Sequence, residues 1–421
     1  MGFKLDLGSY QRRKAPSNIP RSIEDLICND NIICRLLNVI YSHDHNDIKR
    51  IEVKPLSPCS DIKGNLSYSG RLAIIVKTQD GNRHEYKWFV KIQQEDHLNS
   101  DLVTQFNLFE KEIEFYQKIV PELEEFVAES NEGSAAINID IPKLIYAEVE
   151  KNRALIILED LVGVGYKQTK DSNGENYLSL ETAILAVESV AKIHAASYAL
   201  QVKKNIDLGH IHPNLEVSGM LWSNDEMASR LTAMKDYYCD ILEESKNPDS
   251  TILVERFRKT FDSPEKLKEI VTRRVSQEEN GRSSIHCLQQ GDFHFNNLMF
   301  KVEADGRTSV KIVDWQMAYT GRAGGDIAYL LMSSINPELY ETDEDTIKEK
   351  YFDMFNETFY SLIREKKKEG KVERMLEQDY TESLPIGFLL SCGNVMSTRD
   401  HVRKVKFAYN LCNEAAIKNL I

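Results

Sequence analysis

No two of the seven cysteines stand in a CxxC pair. Cys28, Cys34, Cys59, Cys239, Cys287, Cys392 and Cys412 are odd in number and widely scattered, a pattern that fits neither a disulfide frame nor a zinc site. They read as reduced, mostly buried thiols of a cytosolic protein. The opening Met1-Gly2-Phe3-Lys4-Leu5-Asp6 lacks the apolar core of a secretory leader. Asp6 stands where myristoylation calls for Ser or Thr, and the closing Lys418-Asn419-Leu420-Ile421 offers no lipidation cysteine. There is no charge-free apolar run of membrane-spanning length, no internal repeat and no low-complexity tract. Gly163-x-Gly165 lacks the third glycine of a dinucleotide fingerprint. His43-x-His45 and His210-x-His212 lack further ligands nearby, so they read as loop residues rather than metal sites. These absences make a cytoplasmic protein without a membrane partner the expectation.

What is present is ordinary globular material: 421 residues, 42% hydrophobic, enough for two or three domains or one two-lobed unit. Lys and Arg number 53 against 66 Asp and Glu, a net charge of −13. Such a chain repels phosphate backbones and anionic lipid, which disfavours nucleic acid as a partner. It does not exclude ATP, because a local cation and a metal can hold a triphosphate inside an acidic protein. No obligate protein partner is evident.

Along the chain, residues 1–20 are basic and aperiodic and read as a loose arm. Apolar spacing predicts a helix from Ser22 to about Val39. Strands are expected at Ile51–Pro55, Leu72–Lys77 and Tyr86–Gln93, the last two joined by the hairpin signal Gln79-Asp80-Gly81-Asn82. A helix from about Thr104 to Ile119 is expected to end at Pro121, and the acidic residues 124–140 read as a surface loop. Two more strands, Lys143–Glu148 and Ala154–Leu158, complete an antiparallel sheet with one main helix on one side. Beyond residue 160 the chain turns mainly helical, Ser179–Gln201 being the clearest helix. The expectation is an α+β chain of two lobes, residues 1–160 and 161–421.

The informative stretch is Gln290-Gly291-Asp292-Phe293-His294-Phe295-Asn296-Asn297, followed by Lys311-Ile312-Val313-Asp314-Trp315. Between Leu298–Val302 and Ser309–Val313 lies Ala304-Asp305-Gly306-Arg307, a turn signature. One strand thus leaves Asn297 and its partner returns to stop just before Asp314. Antiparallel pairing brings the two together across seventeen positions. An amide oxygen and a carboxylate on a rigid hairpin suit Mg2+ bridging nucleotide phosphates. Asp292, five residues before Asn297, is placed to accept the proton of an attacking hydroxyl. In Tyr86–Gln93, alternation sets Trp88, Val90 and Ile92 on one face and Phe89 and Lys91 on the other. Phe109, Glu112, Ile113 and Tyr116 share one helical stripe. A carboxylate in an apolar stripe calls for a cation, and Lys91 is the candidate. A strand lysine so held can reach the α- and β-phosphates.

Together these residues resemble the aminoglycoside/choline-kinase-like phosphotransferases, and more closely their ecdysteroid-kinase-like branch. The resemblance covers roughly residues 50–335. It rests on Gly64-Asn65-Leu66-Ser67-Tyr68-Ser69, Phe89-Val90-Lys91, Phe109-x-x-Glu112-x-x-Phe115-Tyr116 and Leu158-Glu159-Asp160-Leu161. Ala191-x-x-His194-Ala195, Gly291–Asn297 and Val313-Asp314-Trp315-Gln316 complete it. It implies a protein-kinase-like fold with ATP and Mg2+ as cofactors: Asp292 as base, Asn297 and Asp314 as metal ligands, Lys91 with Glu112 at the phosphates. Ser67 and Ser69 would belong to the nucleotide loop, and Leu158–Leu161, with Glu159 and Leu161 as backbone partners, would meet adenine.

The expected acceptor is a small-molecule alcohol, steroid-like or otherwise apolar. Choline, ethanolamine or an aminoglycoside is the alternative, and a non-catalytic nucleotide- or ligand-binding protein the second. Gln290 motivates the second, because the family usually carries His at that position, two residues before the catalytic Asp. Met220, Trp222, Tyr237, Tyr238 and Phe388 are candidates to line the acceptor site. His194 reads as a packed histidine with a backbone partner. Asp326, after Gly324-Gly325, reads as a helix cap or, by the resemblance, as a support of the catalytic loop.

Overall fold

Alternating apolar residues build the first half of the chain into one antiparallel sheet. Its strands are β1 (Phe3–Lys4), β2 (Ile48–Pro55), β3 (Ser67–Thr78), β4 (Arg83–Gln93), β5 (Leu144–Glu150) and β6 (Arg153–Glu159). They lie in the order β1-β2-β3-β4-β6-β5. The computed structural model describes residues 3–4, 19–43, 47–56, 67–93, 103, 106–130, 137–150, 153–169, 177–215, 225–273, 278–279, 282–336, 340–365, 370–397 and 401–420. Of the expected loose arm, Phe3 and Lys4 pair with Val53 and Glu52 as an edge strand, satisfying backbone groups that an open sheet edge would leave unpaired. Residues 5–18 lie outside the described residues.

The β3–β4 hairpin follows its turn signal. Thr78 N donates to Asn82 O at 3.0 Å and Gly81 adopts φ +89°, which glycine reaches without steric cost. In the resulting register Ser67 faces Gln93 and Ser69 faces Lys91, so Ser69 and Lys91 share a face of the sheet. The opposite face carries Leu72, Ile74, Val76, Trp88, Val90, Ile92, Leu155 and Ile157, packed under α1 (Ile23–Cys28) and α2 (Asp30–Tyr41). Sequence periodicity predicts one helix there. Asn29 divides it, because its backbone is non-helical and its Oδ1 accepts from Ile32 N at 3.3 Å as the cap of α2.

On the Lys91 face lies α3 (Leu108–Glu114), so the sheet carries helices on both faces, not one. Pro121 does not end this helical run. The chain widens into a π-helical turn at Phe115–Ile119 and continues as α4 (Val120–Ser130). Proline cannot donate to the carbonyl four residues back, and the wider turn just before it is where that ladder is given up. The acidic stretch expected as loop is therefore helical to Ser130. Leu123, Phe126 and Val127 are buried while Glu124, Glu125 and Glu129 face out; the charges mark the outer face of an amphipathic helix.

The chain divides into two compact units, residues 1–119 with 141–167 and residues 120–140 with 168–421. They interleave along the sequence rather than meeting at one point. The second unit contains α5 (Leu180–Lys204), capped by Ser179, whose Oγ accepts from Thr182 N at 3.3 Å. By length and composition α5 passes for a membrane span, but most of that stretch is buried within the protein. Further on come α6 (Asp225–Glu244), α7 (Ser250–Thr260), α8 (Pro264–Arg273) and β7 (His286–Gln289). The hairpin β8 (Leu298–Val302) and β9 (Thr308–Ile312) follows, then β10 (Tyr319–Arg322), which pairs antiparallel with β7. Four helices close the unit: α9 (Gly325–Ser334), α10 (Tyr340–Ile363), α11 (Lys371–Ser397) and α12 (His401–Ile417). Cys34, Cys239, Cys287, Cys392 and Cys412 are buried free thiols and Cys28 an exposed one. Cys59 lies outside the described residues.

Candidate functional site

In the second unit the site is built on the β8–β9 hairpin. Glu303 N donates to Arg307 O at 2.7 Å and Gly306 turns the chain at φ +84°, so Leu298 falls opposite Ile312. One step further, Val313 N donates to Asn297 O at 3.0 Å. Asn297 and Asp314 therefore stand together at the open end, as the sequence spacing predicts. Asn297 Nδ2 donates to the main-chain oxygen of Asp292 at 2.8 Å and to its Oδ2 at 3.0 Å. That spends the amide nitrogen on Asp292 and leaves the amide oxygen as the group suited to a cation. Asp314 adopts a left-handed backbone, φ 62°, which Asp tolerates better than most residues.

The loop before the hairpin is held from behind. Gly291 has φ +88°, and a Cβ there would lie 2.1 Å from Met317 O, so only glycine fits. Asp326, 1% exposed, accepts from Gln290 N at 2.6 Å and from Gly291 N at 3.0 Å. It lies in the first turn of α9, behind the capping Gly324; it supports the loop and is not a cap. His194 Nδ1 lies 2.8 Å from Tyr351 Oη and its Nε2 3.2 Å from Asp326 Oδ2. It is packed as expected, but between side chains rather than against a backbone group.

The Gln290 amide meets three main-chain atoms. Its Oε1 accepts from Asp292 N at 2.8 Å, and its Nε2 donates to Val313 O at 3.0 Å and Asp314 O at 2.7 Å. His294 Nε2 lies 3.5 Å from Asp292 Oδ2. Burial opposes the charged imidazole, but the carboxylates of Asp292 and Asp314 outweigh it and raise the pKa. Two further supports carried no sequence signal. Ser334 Oγ accepts from Phe295 N at 2.8 Å, and Gln168 Nε2 donates to Asn296 O at 2.9 Å. Single polar residues remote in sequence have no spacing that betrays them.

The first unit holds a second cluster. Lys91 Nζ donates to both carboxylate oxygens of Glu112, at 2.9 and 2.8 Å, with both residues buried. Ser67 and Ser69, buried on the same face, hydrogen-bond each other at 2.9 Å. They belong to β3, not to a loop, because their alternation continues the strand's ladder; Gly64, Asn65 and Leu66 lie outside the described residues. At the end of β6, Glu159 N donates to Lys143 O at 3.0 Å. The Leu161 oxygen accepts from Val164 N and Tyr166 N at 3.2 and 2.9 Å. Arg71 clamps the residue between them, its Nε and Nη2 donating to Asp160 Oδ1 and Oδ2 at 2.7 and 2.8 Å. One residue from Glu112, Lys111 is fully buried, and its Nζ has no hydrogen-bond partner among the described residues. Burial lowers its pKa to about 7.

The residues expected to line an acceptor site fare differently. Tyr238 and Phe388 are fully buried: Tyr238 Oη donates to Ala408 O at 2.7 Å, and the Phe388 ring packs 5.5 Å from Phe257. Both are core. Tyr237 is exposed, with Lys404 Nζ donating to its Oη at 2.9 Å. Met220 and Trp222 lie outside the described residues. Among the described residues, no three or more His, Cys, Asp or Glu side chains are grouped to hold a metal ion.

The profile of the Ecdysteroid kinase-like family matches residues 65–363, a span that includes both clusters. No curated protein matches the chain. Similar solved structures include a GDP complex of a point mutant of aminoglycoside 2'-phosphotransferase IIIa, at 12% identity. It covers 93% of this chain and 98% of that one with a TM-score of 0.39. An aminoglycoside-3'-phosphotransferase of type VIII matches at 14% identity over 86% and 93%, TM-score 0.30. A third, the phosphotransferase APH(3'')-Id from Streptomyces rimosus with ADP and streptomycin, matches at 11% identity over 84% and 99%, TM-score 0.31.

Proposed function

The chain belongs to the ecdysteroid kinase-like family, and on that premise we propose that it transfers the γ-phosphoryl group of ATP to a hydroxyl of a small apolar, steroid-like alcohol. Its architecture, an antiparallel sheet unit and a mainly helical one, is the α+β protein-kinase-like type. The observation that carries the proposal is the Asn297 amide, fastened to Asp292 at the open end of the hairpin that stops at Asp314.

In this reading Asp292, whose side chain is 37% exposed, accepts the proton of the acceptor hydroxyl as its oxygen bonds to the γ-phosphorus and the bond to ADP breaks. The amide oxygen of Asn297 and the carboxylate of Asp314 are the hard donors that would hold Mg2+. Two protein ligands suffice, because Mg2+ at such sites takes the rest from phosphates and water. Held by these two residues, the ion would supply charge neutralisation for the transferred phosphoryl. Lys91, oriented by Glu112, binds the α- and β-phosphates. The steroid-like acceptor follows from the family alone.

The test is transfer of labelled γ-phosphate from Mg·ATP by the purified protein to steroid, amino-alcohol and aminoglycoside acceptors, with Asp292→Asn as control. Label in the steroid class that vanishes in the variant supports the proposal. Label only in amino alcohols or aminoglycosides keeps the chemistry and replaces the acceptor. Failure to bind Mg·ATP overturns both.

A further inference from the structure

Strand β4 outruns its neighbour on one side. It pairs with β3 along its whole length, from Arg83 opposite Lys77 to Gln93 opposite Ser67. With β6 it pairs only from Trp88, opposite Glu159, to Ile92, opposite Leu155. Beyond Glu159 the chain turns away into a short 3-10 helix at Val162–Val164. Among the described residues no strand takes its place, so the edge of Arg83–Lys87 on that side has no ladder partner. Beside it lies a cavity of about 480 Å³. Its walls include Glu85, Tyr86 and Lys87 of β4, Glu159 and Val164 of the departing chain, and Tyr41 of α2.

The pleat sorts these walls by chemistry. Tyr86 lies on the α2 face, where its ring stacks on Tyr41 at 3.7 Å between centroids and His43 Nε2 meets its Oη at 2.7 Å. It is a fixed aromatic platform. Glu85 and Lys87 are exposed on the other face, opposite in charge and two positions apart. Arg83 Nη2 lies 2.7 Å from Glu85 at the surface, a contact that is cheap to exchange. Val164 adds an exposed apolar wall. An open strand edge gives main-chain hydrogen bonds to an added strand, and alternate side chains give the selectivity. Charges on such an edge discourage indiscriminate pairing and leave it open to a strand that matches them.

We propose that the free edge of β4 at Arg83–Lys87 docks an extended peptide segment of a partner protein, added antiparallel along the line that β6 vacates. The segment carries an acidic residue opposite Lys87, an apolar or aromatic one opposite Tyr86 and a basic one opposite Glu85. The order follows from the sense of pairing. β6 runs antiparallel to β4, so a segment continuing its line meets Lys87 first and Glu85 last. Directly opposed residues share a face of the sheet; the middle side chain therefore lies over Tyr86 and the two charges lie on the far side. None of Ser67, Ser69, Lys91 or Glu112 lines this cavity, so the docking site is separate from the Lys91 cluster.

The probe is a short fluorescein-labelled peptide with glutamate, phenylalanine and lysine in that order at its centre, titrated into the full-length protein by anisotropy. Saturable binding is expected. A peptide with the two charges exchanged should bind about 10-fold more weakly, because both opposed pairs become repulsive. The double variant Glu85→Lys with Lys87→Glu should reverse that preference. Two further copies carry N-methyl groups on one or the other set of alternate amides. Only the set that faces β4 is needed for the ladder, so one copy should lose about 10-fold or more and the other bind as the parent does. Hydrogen exchange of residues 83–88 should slow on binding.

No saturable binding at millimolar peptide would overturn the proposal. So would binding indifferent to charge order, or equal losses in the two methylated copies, since either is adherence without strand pairing. Self-association in sedimentation that Glu85→Lys abolishes and the peptide does not displace would put a second copy on this edge and overturn it as well. If the double variant does not fold, the charge-exchanged and methylated peptides decide on the wild-type protein.

Discussion

Lys91 Nζ lies 2.9 and 2.8 Å from the two carboxylate oxygens of Glu112, on side chains only 8% and 1% exposed. Two ions so far out of water are tolerated because each is the other's solvation. Removing one partner leaves an uncompensated buried charge, which costs about 3–5 kcal/mol. Glu112→Ala is therefore expected to destabilise the protein by that amount in urea titration. The double change Lys91→Met with Glu112→Leu should cost clearly less than Glu112→Ala alone. A double variant as unstable as the single would show that the helix needs Glu112 for another reason.

Asp292→Asn should lower phosphoryl transfer by about 10²- to 10⁴-fold, the usual share of a general base. Asn retains an oxygen able to accept from Asn297 Nδ2, so the loop should keep its fold. Nucleotide binding, read by calorimetry, should survive. Asn297→Ala and Asp314→Ala should instead raise the Mg2+ concentration needed for half-maximal turnover. Equal Mg2+ dependence in all three variants would count against dividing the roles this way.

Gly291 admits no side chain. Gly291→Ala places a Cβ 2.1 Å from Met317 O at a φ of +88°, adding a backbone clash to a left-handed penalty of about 1–2 kcal/mol. A loss of at least ~2 kcal/mol in chemical denaturation is expected. Gly306→Ala is the control, because its Cβ meets nothing within 4 Å and only the backbone penalty remains.

Lys111 makes stability depend on pH. Its folded pKa is lowered to about 7 by burial, against about 10.4 in an unfolded chain. Between these values the unfolded state binds the extra proton, so stability rises with pH, by up to about 1.4 kcal/mol per unit. Below pH 7 both states are protonated and the whole penalty of the buried ammonium is present. Lys111→Met should be more stable than wild type at pH 6, and its stability should lose this slope between pH 7 and 10. An unchanged slope in thermal or urea melts would mean that Lys111 is solvated in solution.

Strand alternation and turn chemistry are local, and they were readable where they governed. Gln79-Asp80-Gly81-Asn82 marks the β3–β4 turn, and Ala304-Asp305-Gly306-Arg307 marks the turn that brings Asn297 to Asp314. Readings that relied on composition fared worse. The acidic residues 124–130 look like loop until Leu123, Phe126 and Val127 find a surface to bury against. Pro121 looks like a helix end until the preceding turn widens. Ser67 and Ser69 look like loop residues by type, but the ladder with Gln93 and Lys91 makes them strand. Tyr238 and Phe388 have the composition of a ligand pocket and occupy core positions, since an aromatic ring serves either place equally well.

By itself the sequence determined the β3–β4 and β8–β9 hairpins, the face on which Lys91 lies, and the meeting of Asn297 with Asp314, all consequences of short-range periodicity and pairing. Tertiary structure alone decided what braces them. Asp326 reaches back 36 and 35 positions to the amides of Gln290 and Gly291, His194 spans 132 positions to Asp326, and Gln290 spends its amide on a distant hairpin end. A hydrogen bond depends on where two groups come to lie, and for residues so far apart that is settled by how whole elements pack, which no local spacing encodes.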